Sequence, residues 1–89
     1  MRRVRIIVHG KVQGVFFRYS VKQIADKLKV KGYARNNFDK TIEIVAEGSE
    51  EAISTIIQFC RRGPPMARVD RADMKEEKFI GEHDKFEII

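Results

Sequence analysis

The sequence has little of what would indicate a secreted, metal-binding or membrane protein. It contains one cysteine, Cys60, two prolines and no tryptophan in 89 residues. A lone cysteine cannot form an internal disulfide, and no Cys/His cluster has metal-ligand spacing. No stretch approaches the ~18 consecutive apolar residues of a membrane span, and the first residues lack the apolar run of a secretory signal. We therefore expect a soluble protein of the reducing cytoplasm, with no metal and no membrane partner.

The charge balance favours anionic ligands. The chain has 18 Lys and Arg residues against 13 Asp and Glu residues, which gives a formal net charge of +5. A basic surface attracts anions over a long range, but it does not distinguish a small phosphate compound from nucleic acid. Hydrophobic residues make up 43% of the chain, enough for one modest core. We expect a single domain over residues 1–89.

Hydrophobic periodicity divides the chain into alternating strands and helices. Alternation of apolar and polar residues predicts strands at 4–9, 30–35, 41–47, 67–74 and 86–89. Apolar residues at three- and four-residue spacing predict helices at 17–28 and 50–62, the second capped by Ser49. The fourth strand is the most charged and is predicted at a sheet edge, and the composition of residues 75–85 is typical of a loop.

The order of these elements predicts the fold class. The order is β-α-β-β-α-β with a short closing strand, and no repeat or linker interrupts it. Two interleaved β-α-β units of this kind form a ferredoxin-like α+β sandwich. We expect one mostly antiparallel sheet with both helices on one of its faces.

The segment between the first strand and the first helix has the features of an anion cradle. Glycines at 10 and 14 permit backbone conformations that turn successive N–H groups inward, and the start of a helix adds unpaired N–H groups. Arg18 follows with a forked cation that suits phosphate. The spacing matches neither a P-loop nor a dinucleotide fingerprint. The predicted phosphate-binding loop consists of Gly10, Lys11, Val12, Gln13, Gly14, Val15, Phe16 and Phe17.

Two segments of the chain resemble the signatures of acylphosphatases. They are Gly-Lys-Val-Gln-Gly-Val-Phe-Phe-Arg at 10–18 and Gly-Tyr-Ala-Arg-Asn at 32–36, and the similarity extends over essentially the whole length. The resemblance implies hydrolysis of the carboxyl-phosphate bond of acyl phosphates, releasing inorganic phosphate without metal or cofactor. It also implies that Arg18 holds the phosphate and Asn36 positions water. We expect a monomer that does not bind nucleic acid.

The chain departs from the family pattern in the turn that follows Asn36. Acylphosphatases usually have glycine where this sequence has Lys40, and valine where it has Ile42. A non-glycine residue with positive φ costs roughly 1 kcal/mol or more. We therefore predict a turn of changed type, in which Asn37 or Asp39 is left-handed and Asn36 still faces the cradle.

Two other functions fit parts of the sequence. RNA-recognition motifs share this order of elements, the chain is basic, and residues 31–34 partly match their aromatic signature. That match is incomplete, because Arg35 replaces the second aromatic residue and the segment lies on the second strand instead of the third. The other alternative is a catalytically inactive phosphate-binding interaction module, which Lys40 leaves open.

Several other reactive side chains have structural interpretations. His9 and His83 have no evident partner in the sequence, so surface or structural roles are expected. Cys60 lies on the apolar stripe of the second helix and is expected in the core. Ser20 has no neighbouring base and is assigned to the first helical turn, and Gln13 is expected to brace its loop.

Overall fold

Five strands and two helices follow one another in the predicted order. The computed structural model describes all residues, Met1–Ile89. Its elements are β1 (Arg2–Lys11), α1 (Phe17–Leu28), β2 (Lys31–Asn36), β3 (Ile42–Gly48), α2 (Glu50–Arg62), β4 (Arg68–Glu77) and β5 (Phe86–Ile88). This is an α+β ferredoxin-like fold, as the sequence predicts. Neither helix has the length and apolar character needed to cross a membrane.

The strands form one mixed sheet in the order β4-β1-β3-β2-β5. β1 pairs antiparallel with β3 and β4, β2 pairs antiparallel with β3, and β2 and β5 are parallel. β4 lies at an edge, which confirms the prediction from its charge. It runs to Glu77, beyond the predicted end at residue 74, because Lys75 and Glu76 continue the ladder with β1.

The core lies between one face of the sheet and the two helices. It is a cluster of 19 buried residues that every secondary-structure element except β4 enters with an apolar side chain. Alternate residues of the central strands form its floor: Val4, Ile6, Val8, Ile42, Ile44 and Ala46. Burial of each large aliphatic side chain contributes about 1.5–3 kcal/mol. Cys60 is fully buried in this cluster, and burial raises the pKa of its thiol, so it is a core residue as predicted.

The two helices begin in different ways. At the start of α2 the Ser49 hydroxyl accepts the Ala52 N–H at 3.2 Å, and Glu50 and Glu51 lie at the positive end of the helix dipole. Helix α1 has no side-chain cap and no acidic residue in its first turn. Its first N–H groups are therefore open to an external anion.

The other face of the sheet carries paired charges beneath the loop between β4 and β5. Arg3 Nη1 lies 3.0 Å from Glu47 Oε2, and both side chains are almost fully buried. The N–H groups of Ile80 and Gly81 donate to the same Glu47 oxygen at 3.0 and 3.2 Å. The loop therefore covers the strand face that the sequence pattern leaves polar, and β3 is buried on both sides.

The hairpin turn between β2 and β3 contradicts one prediction. Lys40 itself is left-handed, with φ of 73°, and neither Asn37 nor Asp39 has a positive φ. Lys40 N–H donates to Asn37 O at 3.2 Å, and Asn37 N–H donates to Thr41 O at 2.9 Å. This is a three-residue hairpin loop with a left-handed final residue, the position that normally takes glycine. The Asp39 carboxylate accepts the Thr41 N–H at 3.0 Å and helps to hold the turn.

Candidate active site

The loop between β1 and α1 begins later than the sequence predicts. Gly10 and Lys11 belong to β1, where they pair with Val69 and Arg68 of β4 beside a register shift. A Cβ atom on Gly10 would lie 2.1 Å from the Arg68 carbonyl oxygen, and Gly10 has φ of 132°. Glycine is required at position 10 because β4 approaches closely, so its contribution to the cradle is indirect.

Side chains of the loop fix its backbone from both sides. Val12 and Val15 are buried in the core, and Phe17 packs edge-on against Phe59 with ring centroids 5.9 Å apart. Gln13 Nε2 donates to the carbonyl oxygens of Asn37 and Thr41 at 2.9 and 3.0 Å. Gln13 thereby links the loop to the β2–β3 turn, which is the bracing role expected for it.

The backbone of the loop leaves its N–H groups unpaired. Gly14 has φ of 75° and Phe16, the residue before α1, has φ of 64°, a conformation that is costly for a bulky side chain. No acceptor in the protein takes up the backbone N–H of any residue from Val12 to Tyr19. The Phe16 carbonyl accepts both the N–H and the hydroxyl of Ser20, which confirms Ser20 as a first-turn helix residue. The segment can donate several hydrogen bonds to a ligand.

A cavity of about 290 Å³ lies at this end of the molecule. Six of the predicted site residues line it: Val12, Gly14, Phe16, Phe17, Arg18 and Asn36. The predicted loop residues that do not line it are Gly10, Lys11, Gln13 and Val15. Tyr19, Ile42 and Ile88 complete the wall and were not among the predicted site residues. Of these three, only Tyr19 could have been predicted from the sequence, because it directly follows Arg18.

Arg18 is the only charged side chain in the cavity wall. It lies in the first turn of α1, where the helix dipole also favours an anion. Its one contact with a protein acceptor is long, 3.5 Å from Nη1 to the Ile89 oxygen. No Asp or Glu side chain lines the cavity, and this long contact leaves the other guanidinium N–H groups available to a ligand.

Asn36 reaches the same cavity from the last position of β2. Its amide oxygen is buried and has no hydrogen-bond donor within the protein. An unpaired buried acceptor costs about 1–3 kcal/mol, so such a group is suited to accept a hydrogen bond from a bound molecule. The left-handed Lys40 keeps the hairpin closed, and Asn36 and Ile42 face each other in its ladder. The cavity therefore combines unpaired donors, one cation and one unpaired acceptor.

The two histidines lie outside this cavity. His9 Nε2 lies 3.1 Å from Asp73 Oδ2 and 3.3 Å from Arg71 Nη2 in an exposed cluster, which is the surface role expected for it. Those partners are on β4, and sequence separation concealed them. His83 packs against the ring of Tyr33, with centroids 5.9 Å apart.

Comparison with known proteins identifies relatives over the full length. The family model described as acylphosphatase matches residues 4–88. The acylphosphatase of Pyrobaculum calidifontis is 48% identical over 98% of this chain and 80% of that protein, and that of Methylococcus capsulatus is 42% identical over 100% and 97%. The crystal structure of acylphosphatase from Bacillus subtilis superposes with a TM-score of 0.94 at 39% identity, covering 100% of this chain and 99% of that one.

Proposed function

This chain belongs to the acylphosphatase family of hydrolases, and we propose that it cleaves the carboxyl-phosphate bond of acyl phosphates by in-line attack of water. In this proposal Arg18 and the loop N–H groups hold the phosphate, and Asn36 positions the water. The observation that carries it is the meeting of three kinds of group in one cavity: unpaired backbone N–H groups, a guanidinium whose one protein contact is 3.5 Å long, and a buried amide oxygen without a donor.

The donors of the cavity suit the charge of a phosphoryl group. Equatorial oxygens of a transferring phosphoryl group carry the negative charge, and hydrogen-bond donors fixed in advance stabilise it without reorganisation. The N–H groups from Val12 to Tyr19 supply such donors, and the positive end of α1 adds to them. Arg18 can donate two hydrogen bonds at once, which a lysine cannot do in the same geometry.

An acyl phosphate requires little acid catalysis from the protein. Its leaving group is a carboxylate, whose conjugate acid has a pKa of about 4 by analogy with side-chain carboxyls, so it departs without being protonated. The water oxygen forms a new bond to phosphorus, and the bond from phosphorus to the acyl oxygen breaks with its electron pair going to the carboxylate. The proton lost by the water leaves on inorganic phosphate or to solvent.

Asn36 is suited to orient the water without abstracting its proton. A neutral amide oxygen accepts a hydrogen bond from water, and the amide NH₂ can donate to a neighbouring oxygen. Asn36 lines the cavity and its amide oxygen is buried without a donor in the protein, which supports this role. Positioning of the nucleophile is worth several kcal/mol of barrier when the geometry is fixed.

The features of the sheet argue against the two alternatives. RNA-recognition motifs stack bases on exposed aromatic residues of the sheet. Here Tyr33 is the aromatic residue of that face, its hydroxyl donates to Glu43 at 2.6 Å, and His83 and Arg35 flank its ring. The inactive phosphate-binding module would be the better interpretation if Asn36 no longer reached the cavity. Asn36 lines the cavity wall even though Lys40 replaces the usual glycine of the turn.

Further predictions accompany this function. Family membership implies an acyl phosphate as substrate, and we propose inorganic phosphate as the second product, with no cofactor. We propose that residues 1–89 act as one domain and as a monomer. The single buried cysteine is compatible with a reducing cytoplasm, which we propose as its location.

The test is release of inorganic phosphate from benzoyl phosphate in the presence of a metal chelator. Arg18→Ala should lower kcat/KM by about a thousandfold or more, because it removes the cation that neutralises the transferring group. Arg61→Ala, the same change at an exposed position of α2, is the matched control and should retain wild-type turnover.

Three outcomes would overturn the proposal. Undiminished turnover by folded Arg18→Ala would exclude the assigned phosphate ligand. Phosphate binding by the wild type without any hydrolysis would favour the inactive module. Absence of hydrolysis together with RNA affinity that falls steeply with salt would favour the RNA-binding alternative.

A further inference from the structure

The Asp39 carboxylate closes a ring of hydrogen bonds around the strained residue of the β2–β3 turn. Its Oδ1 atom accepts the Thr41 N–H at 3.0 Å and also accepts the Thr41 hydroxyl. An aspartate that binds the N–H two residues further along fixes the backbone of the residue between them. That residue is Lys40, whose φ of 73° favours glycine. Asp39 therefore holds Lys40 in a conformation that lysine rarely adopts.

The two donors that Asp39 accepts belong to a buried residue. Thr41 is 6% exposed, whereas Asp39 itself is exposed. A buried N–H or hydroxyl that loses its acceptor is costly, so loss of the Asp39 carboxylate favours a rearranged turn. The hydrogen bonds from the Thr41 hydroxyl and N–H lower the pKa of the Asp39 carboxyl below its ordinary value, so the charged acceptor is the form present at neutral pH.

A rearranged turn would displace Asn36. Thr41 directly precedes Ile42, and Ile42 is the partner of Asn36 in the ladder between β2 and β3. Asn36 also lines a second cavity, of about 360 Å³, whose other walls are Gln13, Asn37, Phe38 and Lys40. Asn36 thus lies between the phosphate cavity and a wall built largely by the turn. A misplacement of about 1 Å costs about a hundredfold in rate, so the shape of the turn matters for the water that Asn36 orients.

The phosphate donors depend much less on the shape of this turn. The N–H groups from Val12 to Tyr19 lie in the loop and the first turns of α1. Gln13 Nε2 donates to the carbonyl oxygens of Asn37 and Thr41, and these hydrogen bonds do not involve Asp39. The hairpin therefore stays joined to the loop without Asp39, while its final geometry changes.

We propose that Asp39 is a positioning residue for Asn36, and that the chain requires it because residue 40 is lysine and not glycine. Asp39 does not line the phosphate cavity, so it acts through Lys40 and Thr41 and not on the substrate. It keeps the turn in the shape that directs the Asn36 oxygen at the attacking water. The inference rests on the proposed function, because it concerns the step that Asn36 is proposed to serve.

The experiment is a double-mutant cycle on hydrolysis of benzoyl phosphate, with inhibition by inorganic phosphate measured for each variant. Asp39→Ala should lower kcat about tenfold, while the inhibition constant of phosphate changes by less than about twofold. In a Lys40→Gly background the same substitution should lower kcat only about twofold, because glycine adopts the left-handed conformation without support. Asp39→Asn keeps an acceptor oxygen and should recover most of the wild-type kcat.

Asp70→Ala is the matched control, because Asp70 is an exposed aspartate that also binds a residue two positions away, Arg68. It should retain the wild-type kcat. An unchanged kcat for Asp39→Ala would overturn the inference, as would an equal loss with lysine and with glycine at position 40. Equal losses of kcat and phosphate affinity would show that Asp39 supports the fold generally and does not position Asn36. A wild-type protein that does not hydrolyse benzoyl phosphate would instead overturn the proposed function.

Discussion

The cavity beside α1 differs from the outer face of the sheet, the face with Arg3 and Glu47 that points away from the helices, in how its polar groups are paired. In the cavity, the N–H groups from Val12 to Tyr19 and the Asn36 oxygen have no partner in the protein. On the outer face, Arg3 contacts both Glu47 and Glu77, at 3.0 and 2.9 Å. The first region leaves its hydrogen-bonding capacity for a ligand, and the second uses it within the fold.

Backbone strain follows the same division. Phe16 and Lys40, two of the three non-glycine residues with positive φ, lie at the cavity and in the adjoining turn. The paired charges of the outer face lie on regular strands. Strained and unpaired groups persist where the surrounding structure holds them, and they are concentrated at functional sites. This difference predicts that substitutions in the two regions affect different measurements.

The largest effect on stability is expected from Glu47→Ala. The substitution removes a buried partner of Arg3 and the acceptor of the Ile80 and Gly81 N–H groups. Loss of one member of a buried ion pair costs about 3–5 kcal/mol, and the contact with Glu77 that Arg3 keeps places this variant at the lower end of that range. We expect that loss in the free energy of unfolding measured by denaturant titration, while kcat/KM per folded molecule stays at the wild-type value.

Glu76→Ala provides the control, because Glu76 also forms an ion pair with an arginine of β1. Glu76 contacts Arg2 at 2.7 Å, but the Glu76 side chain is 53% exposed. Exposed ion pairs contribute about 0–1 kcal/mol, so this variant should lose little stability. Equal losses for the Glu47 and Glu76 variants would contradict the distinction between buried and exposed ion pairs.

Asn36→Ala should lower activity and leave stability unchanged, the reverse of the result expected for Glu47→Ala. We expect kcat to fall about a hundredfold, equivalent to about 2.7 kcal/mol of barrier, because the water loses its acceptor. Inhibition by inorganic phosphate should change much less, since the phosphate donors remain. The free energy of unfolding should not fall, because the removed oxygen has no partner in the protein.

A kinetic comparison checks the assignment of Asn36. If kcat and phosphate affinity fell by the same factor, Asn36 would be a phosphate ligand and not a water-positioning residue. A loss of several kcal/mol of stability would show instead that the side chain supports the hairpin.

Gln13→Ala tests the link between the loop and the turn. Gln13 Nε2 joins the two segments, so its loss should lower kcat indirectly.

The sequence predicts the order of helices and strands along the chain better than it predicts contacts between distant segments. The periodicity of β1, α1 and α2 gives their positions because burial and helix capping are local properties. The partners of His9 on β4 and the coverage of Glu47 by the loop depend on strand pairing, which no local pattern specifies.

The same limit applies to the site. Arg18 and Asn36 are identified by their motifs, and both lie in the cavity wall. Ile88 belongs to the wall only because β5 pairs with β2, and the left-handed Lys40 could not be distinguished in advance from a rebuilt turn. Gly10 belongs to the motif that predicts the cradle, but it does not line the cavity. Its conformation instead permits the close approach of β4.

Acid should weaken the outer face through its carboxylates. Hydrogen bonds from Arg5 and Arg3 lower the pKa of Glu77 from 4.5 to about 2. Burial raises the pKa values of Glu43 and Glu47, but hydrogen bonds and nearby arginines outweigh it and leave them below the ordinary value. A carboxylate with a lowered folded-state pKa stabilises the protein above pH 4.5, and this contribution is lost as the pH falls towards about 2.

The prediction concerns the stability difference between the wild type and Glu77→Gln. That difference should be largest near neutral pH and should shrink as the pH falls from 4.5 towards about 2, as measured by denaturant midpoints. Asp70→Gln is a suitable control, because its pair with Arg68 is exposed on both sides. A difference that did not depend on pH would mean that Glu77 acts by packing and not by its charge.

The smallest effect is expected from Lys40→Gly, which tests whether the strain near the cavity is required. Glycine adopts φ of 73° without the steric cost of a Cβ atom, and its greater freedom in the unfolded chain offsets part of that gain. We expect a net increase of about 0.5–1 kcal/mol in the free energy of unfolding, with kcat/KM unchanged. Lys29→Gly, at the left-handed end of α1, should give a similar increase away from the cavity.

The two glycine variants separate strain that function needs from strain that it tolerates. If both raise stability and neither changes kcat/KM, the left-handed lysine at position 40 is a tolerated cost in a turn whose hydrogen bonds already fix Asn36. If Lys40→Gly alone lowers kcat, the lysine side chain or the stiffness of the turn contributes to the position of Asn36. The strained turn would then belong to the catalytic region and not merely adjoin it.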